Sequence, residues 1–216
     1  MLGLPKETEV NRMVAKKKFY DRAEMTPALK DSFTNEIEKI TWANKLAPTT
    51  LNIDAGSDIK ELEIFHIELR EKNFNQKILE TIDKAIPYYI LFVLEYKGKQ
   101  QIWLGYKEKS ASTGKANIVK YFHNEWKENQ ELPFRGNKLD SIYENFLSAL
   151  SEDLNIKSET ETLEQRIERT QEIDALQKEI NALTLKMNRE KQFNRQCEIH
   201  KQITTLENKM KGLKNG

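Results

Sequence analysis

The chain has 216 residues, of which 32% are charged and 38% are apolar, and its formal net charge is +1. This length suits one domain of about 150 residues with an appendage, and the low apolar share predicts that part of the chain is elongated and solvated. The longest apolar run, Tyr88–Leu94, is far shorter than the roughly 20 residues of a membrane span. With no signal-peptide core and a single cysteine, Cys197, we expect a cytoplasmic protein without an internal disulfide or membrane contact.

The N-terminal region contains one strong helix signal. Residues 1–25 follow no sustained period, and we expect an arm with one helical turn at Lys16–Tyr20. Thr26 and Pro27 then supply an N-cap and a first helical position. The apolar residues that follow are spaced along one helical face and predict a helix that ends before Pro48: Leu29, Phe33, Ile37, Ile40 and Leu46.

Two strands and a helix are expected next. Thr49–Ile53 and Leu62–Arg70 are predicted to form a hairpin, and alternation in the second strand puts Glu68 on the same face as His66. Asn75 is placed to cap the helix that follows.

The stretch Ile86–Lys107 is the predicted centre of the sheet. Tyr88–Leu94 is apolar at every position, as expected of a strand covered on both faces, and Gly98 supplies a turn into a second strand. Asn117–Trp126 alternates like a third strand, with a helix as the alternative, and Leu139–Leu150 has the period of an amphipathic helix. Because the strands are grouped in hairpins, we predict an α+β fold with a largely antiparallel sheet flanked by helices.

A polar linker at residues 151–158 is predicted to separate this α+β domain, residues 1–150, from a C-terminal coiled-coil arm, residues 159–216. Apolar residues of the arm step by three and four, and the pattern breaks between Met187 and Ile199. The break favours an antiparallel helical hairpin in which Asn194 caps the return helix. One continuous helix with a stutter is the alternative.

The sequence has no phosphate-binding glycine loop, no dinucleotide fingerprint and no CxxC pair, so we predict no cofactor. Cys197 and His200 lie one helical turn apart, as half of a zinc site would. Because no second pair of ligands accompanies them, we predict no metal site.

One catalytic alternative involves three residues of the predicted sheet. Glu95 and Lys97 form a Glu-x-Lys pattern at the end of the central strand, as in metal-dependent nucleases of the restriction-endonuclease type, and Glu68 would be a further ligand. Carboxylates that share an ion must lie within roughly 8 Å of each other. The same pattern recurs at Glu125–Lys127 and at Glu207–Lys209, so chance explains it as well.

The predicted tip of the arm combines an aromatic side chain with cations. Phe193 would be exposed there among Arg189, Lys191 and Arg195, and an exposed aromatic residue surrounded by cations is a plausible anchor for a partner. We therefore expect these four residues to bind another protein. Direct contact between DNA and the basic arm is the alternative.

Five segments carry a resemblance to a known family: Leu4–Lys6, Glu9–Asn11, Ile40–Pro48, Ile82–Val93 and Lys191–Arg195. Together they resemble the DUF4391 family of bacterial proteins, whose members tend to be encoded beside helicases and DNA methyltransferases in restriction-like or phage-defence loci. The resemblance assigns no catalytic residue. It implies a companion subunit of a DNA-directed assembly, so we expect a non-catalytic adaptor that docks on a helicase or methyltransferase.

Overall fold

The computed structural model describes residues 2–20, 25–109, 116–150 and 161–215. They fall into two compact units, one within residues 1–151 and the other within residues 152–216. The predicted linker, residues 151–158, lies outside the described residues.

The first unit contains a six-stranded sheet in which the strands follow one another in chain order. Its strands are β1 (Glu9–Met13), β2 (Ile37–Leu46), β3 (Leu62–Leu69), β4 (Tyr89–Tyr96), β5 (Lys99–Lys109) and β6 (Ala116–His123). Its helices are α1 (Lys17–Tyr20), α2 (Pro27–Glu36), α3 (Pro48–Leu51), α4 (Lys77–Ala85) and α5 (Leu139–Leu150). Neighbouring strands are antiparallel except β3 and β4, which run parallel. The prediction of a mixed α+β fold with a mostly antiparallel sheet is confirmed.

The centre of the sheet follows the sequence pattern closely. Buried side chains line both faces of β4, because α4 covers one face and α5 packs near the other. Lys97 and Gly98 connect β4 to β5 with φ angles of 48° and 78°. Two consecutive positive φ angles are the geometry of a tight type I′ hairpin turn, so the predicted turn at Gly98 is confirmed.

The long helix predicted to end before Pro48 is wrong in its second half. The helix stops at Glu36, and Ile37–Leu46 is strand β2. Two bulges, between Ile37 and Lys39 and between Trp42 and Asn44, each shift the alternation of this strand. The buried apolar residues of β2 are spaced three apart, which imitates a helical face: Ile37, Ile40, Ala43 and Leu46. They do not all share one face of the sheet, because Ile37 and Ile40 join the core cluster of Phe65 and Ile67, whereas Leu46 pairs with Leu62 on the opposite face of β3.

The predicted strand Thr49–Ile53, and with it the predicted hairpin, is also wrong. Pro48–Leu51 is the short helix α3, and β3 pairs with β2 instead. Pro48 occupies the first helical position, where its fixed φ fits, and Asn52 ends the helix at a left-handed φ of 52°. These end signals outweigh the β propensity of the threonines. Strand β1 was not predicted either, since its burial does not alternate.

Other expected elements are present. Thr26 caps α2 by accepting a hydrogen bond from the Leu29 N–H at 3.2 Å, and the helical turn within Lys16–Tyr20 is α1. The cap predicted at Asn75 is one residue too early, because Gln76 is the N-cap of α4 and forms no side-chain cap hydrogen bond, while Asn75 Oδ1 accepts from the Lys77 N–H at 3.1 Å. The third strand and the closing helix correspond to β6 and α5.

The second unit consists of helices α6 (Leu163–Arg189) and α7 (Phe193–Asn215). They pack antiparallel, since Ile180 of α6 clusters with Ile199 and Ile203 of α7 while Glu172 pairs with Lys209 at 2.8 Å. This arrangement agrees with the expected hairpin, and coiled-coil packing stays a prediction. We call α6, its connection and α7 the helical hairpin. None of the described helices is both long and apolar enough to cross a membrane.

The cap predicted at Asn194 is wrong. Helix α7 already begins at Phe193. The Glu190 carboxylate accepts hydrogen bonds from the N–H groups of Lys191 and Gln192, at 2.8 and 2.9 Å. These bonds lower the pKa of Glu190, and the residue that follows α6 thus organises the start of α7.

Candidate functional site

The structure brings two of the three candidate nuclease residues together. Glu68 of β3 and Glu95 of β4 are direct partners in the parallel pairing of these strands, on the same face of the sheet. Neighbouring strands lie about 4.8 Å apart. The backbones of Glu68 and Glu95 are therefore closer than the roughly 8 Å that two carboxylates sharing an ion require.

The side chains of this pair are engaged with other groups. Glu95 Oε2 lies 2.9 Å from His66 Nε2 and accepts a hydrogen bond from Gln100 Nε2 at 3.2 Å. Glu68 Oε1 forms an ion pair with Lys39 Nζ at 3.2 Å. In residues 2–20, 25–109, 116–150 and 161–215, no three Asp, Glu, His or Cys side chains are grouped to hold a metal ion.

Lys97, the third nuclease candidate, does not join the two carboxylates. It lies in the β4–β5 turn, and its Nζ is 5.3 Å from the centroid of the Tyr96 ring. Tyr96 alternates with Glu95 along β4 and packs at the edge of the core under α4. The ammonium group is therefore directed to the Tyr96 side of the sheet, away from the face that carries Glu95.

The predicted partner-binding residues lie around the connection of the helical hairpin. Phe193 is 74% exposed. Arg189, Lys191 and Arg195 are exposed as well, and Arg195 Nη1 is 4.0 Å from Glu190 Oε2, at the limit of an ion pair. The structure thus places an open aromatic ring at the end of the hairpin with cationic side chains nearby.

Cys197 and His200, which are spaced like half of a zinc site, also lie on the helical hairpin. Cys197 is exposed, as is His200, and together with Met187 they line a shallow depression.

A buried ion pair in the first unit was missed by the sequence analysis. Lys107 Nζ of β5 contacts Asp83 Oδ1 of α4 and donates a hydrogen bond to the Tyr88 carbonyl oxygen at 3.0 Å. The Tyr121 hydroxyl donates to Asp83 Oδ2 at 2.9 Å. Burial raises the pKa of Asp83, and the Lys107 ammonium opposes this effect. The one available signal is that Asp83 follows Leu79 by four residues and so lies on the buried face of α4.

A second polar group is built around Glu63 of β3, which is 4% exposed. Trp42 Nε1 donates to Glu63 Oε2 at 2.6 Å, and Lys45 pairs with Glu61 at 2.8 Å. Burial raises the pKa of Glu63 to about 7; Glu61 adds to this shift, whereas the Trp42 hydrogen bond and Lys45 oppose it. Glu63 therefore changes its charge near neutral pH. Its sequence signal is a carboxylate two residues before the apolar Phe65, and hence on the same buried face of β3.

Comparison with protein families identifies the chain. The sequence profile of a domain of unknown function, DUF4391, matches residues 2–210. The chain belongs to the DUF4391 family. Because the match extends through most of the helical hairpin, both units of this DUF4391 protein are part of the family architecture. No curated protein and no solved structure matches the chain at a significant level.

Proposed function

We propose that this DUF4391 protein is a non-catalytic adaptor of a cytoplasmic, DNA-directed restriction or anti-phage defence complex. In this proposal, the end of the helical hairpin docks on a larger subunit, a helicase or a DNA methyltransferase. The observation that carries the proposal is the 74% exposure of Phe193 at the first residue of α7. A large aromatic ring in water is a characteristic anchor of protein–protein interfaces.

A second apolar side chain supports docking at this end of the hairpin. Leu185, one turn before the end of α6, is 58% exposed. It adds exposed apolar surface to the last turns of α6, and the cations Arg189, Lys191 and Arg195 near Phe193 favour an acidic rim on the partner.

Charge distribution favours protein over DNA as the ligand of the hairpin. The cations of α7 are interspersed with Glu198 and Glu207, and Glu190 precedes the helix. These carboxylates dilute the continuous positive potential that phosphate contacts require. An apolar anchor, in contrast, is largely insensitive to salt.

The substitution Phe193→Ala should abolish recovery of the large partner in pull-downs from the native host, at low and at high salt. Loss of an interface hot spot weakens binding by at least about 2 kcal/mol, or roughly 30-fold. Co-purified proteins are identified by mass spectrometry. Met13→Ala is the matched control, because Met13 is 69% exposed on the edge strand β1 of the other unit.

Two results would contradict the adaptor proposal. One is retention of the same partner by Phe193→Ala. The other is recovery of DNA alone, labile to salt and dependent on residues 186–216, which would assign the arm to nucleic acid.

We also propose a metal-dependent nuclease as the second candidate function. The register of Glu68 with Glu95 favours it, since two adjacent carboxylates on one face are a suitable start for a Mg²⁺ site. Lys97 is the weaker element, because its ammonium group lies over Tyr96.

If the second candidate holds, the purified protein cleaves DNA in the presence of Mg²⁺ or Mn²⁺, and Glu95→Gln abolishes the cleavage. Glu207→Gln is the matched control, because Glu207 belongs to a second Glu-x-Lys pattern, within α7. Gel assays with supercoiled and linear DNA measure both. The absence of cleavage by the wild-type protein, or equal cleavage by Glu95→Gln, would contradict the nuclease proposal.

A further inference from the structure

A depression with basic and aromatic walls lies beside the β4–β5 turn of the first unit. Its volume is about 250 Å³, and its lining residues are Lys72, Tyr96, Lys97, Lys99 and Trp126. This volume is smaller than the roughly 300–1,000 Å³ of pockets for drug-sized ligands. The depression therefore suits one unit of a longer chain better than a whole cofactor.

The sheet register explains why rings and cations meet here. Tyr96 and Lys99 are direct partners across the β4–β5 hairpin, so both project from the same face. Lys97, in the turn between them, has its Nζ over the Tyr96 ring. Trp126, which follows β6, packs at the edge of the core on this same side.

Among the residues that the structure describes, the lysines of the depression have no anionic partner. Lys72, Lys97 and Lys99 are all exposed, and none of them forms an ion pair within the described parts of the chain. Three ammonium groups around one small depression repel one another. An anionic ligand would relieve this repulsion.

Further aromatic rings continue the same face of the sheet. The ring of Trp103 stacks on His123 with centroids 4.2 Å apart, and the Phe74 ring contacts Trp103 edge-on at 5.5 Å. Trp103 shares its face with Tyr96, because residues 99, 101 and 103 of β5 oppose residues 96, 94 and 92 of β4. His123 is exposed. We call the depression and these rings the basic aromatic surface.

We propose that the basic aromatic surface binds single-stranded nucleic acid. A base stacks on Trp126 or Tyr96 within the depression, and the lysines contact the phosphates on either side. Aromatic platforms with flanking cations are the general means of binding single strands. Duplex DNA presents phosphates to the lysines but keeps the faces of its bases within the stack, so it would contact the lysines and leave the aromatic rings without a base. An acidic peptide likewise leaves the rings without a stacking partner.

This inference goes beyond the proposed adaptor function and does not depend on it. The surface lies on the first unit, whereas partner docking was assigned to the end of the helical hairpin. Phe193→Ala should leave single-strand binding unchanged, so failure of one proposal is distinguishable from failure of the other.

The test is fluorescence anisotropy of the full chain with a labelled oligothymidylate of about 12 nucleotides and with a duplex of the same length. Lys97→Asn combined with Lys99→Gln should weaken single-strand binding at least tenfold. It should also reduce the slope of log K against log salt by about 1.4, or about 0.7 for each lost phosphate contact. Lys97→Asn keeps the turn, because Asn tolerates the left-handed φ of 48° at this position.

Trp126→Leu separates stacking from charge. It should weaken single-strand binding about tenfold while the salt slope stays that of the wild type. Lys6→Gln is the matched control for charge, because Lys6 is an exposed lysine just before β1, the opposite edge of the sheet. Circular dichroism verifies the fold of every variant, and the lysine pair variant tests the proposal even where Trp126→Leu is unstable.

The proposal is overturned if the lysine pair variant binds the oligothymidylate as tightly as the Lys6→Gln control. It is also overturned if the wild-type protein prefers the duplex, or if no single-strand binding is measurable at low salt.

Discussion

Lys107→Met should lower the free energy of unfolding of the first unit by about 3–5 kcal/mol, because it leaves the buried Asp83 carboxylate without its cation. The Asp83 side chain is fully buried, and that of Lys107 is 7% exposed. Chemical denaturation at neutral pH measures the effect. Since burial already raises the pKa of Asp83, the loss should shrink as the pH falls and Asp83 takes up a proton.

Two controls separate the buried charge from lost packing. Lys39→Met removes the cation of the exposed Lys39–Glu68 pair, whose side chains are 47% and 35% exposed, and should cost at most about 1 kcal/mol. The double variant Asp83→Asn with Lys107→Met removes both buried charges and should be more stable than Lys107→Met alone. If Lys107→Met costs no more than Lys39→Met, the pair is not an important source of stability.

Glu63→Gln should stabilise the protein above neutral pH and change how its stability depends on pH. Burial raises the pKa of Glu63 from 4.5 to about 7, so between these values the folded protein holds a proton that the unfolded chain releases. Wild-type stability should therefore fall as the pH rises through this window. Gln is neutral at every pH and still accepts the Trp42 hydrogen bond, so the variant should gain roughly 1–3 kcal/mol above pH 7.

The measurement is a series of urea denaturation curves from acid to mildly alkaline pH. Below pH 4.5 the two proteins should have similar stability, because Glu63 is then protonated in both states of the wild type. Trp42→Phe removes a hydrogen bond that lowers the pKa of Glu63. The fall in stability of this variant should therefore extend to higher pH. Parallel curves for wild type and Glu63→Gln would show that Glu63 does not titrate in this window.

Local sequence signals predicted the elements that a few neighbouring residues determine. The turn at Gly98 needs only a residue that tolerates a positive φ, and the strand before it is apolar because both of its faces are covered. The same holds for α5 and for the two C-terminal helices, whose apolar residues recur at helical spacing. Helix α3 also has local signals at both ends, Pro48 at its first position and Asn52 at its C-cap, and these outweigh the β propensity of the threonines between them.

The errors arose where a distant partner determines the conformation. Residues 37–46 have a helical spacing of apolar residues, but pairing with β1 on one side and β3 on the other makes them a bulged strand. Bulges depend on the register with neighbouring strands, and no local pattern reveals them. Strand β1 was missed for a related reason: it lies at the edge of the sheet, where burial does not impose alternation.

Some features of the candidate sites could likewise be predicted from local sequence, whereas others depend on the tertiary structure. Exposure of Phe193 could be predicted from the sequence, because an aromatic residue outside both apolar seams of a helical hairpin has no surface to pack on. Only the tertiary structure decided that Glu68 lies beside Glu95, that Lys107 reaches Asp83, and that Trp126 lies beside Tyr96. These contacts join segments far apart in the chain. Their geometry follows from strand order and register, which depend on how the whole sheet and its helices bury apolar surface together.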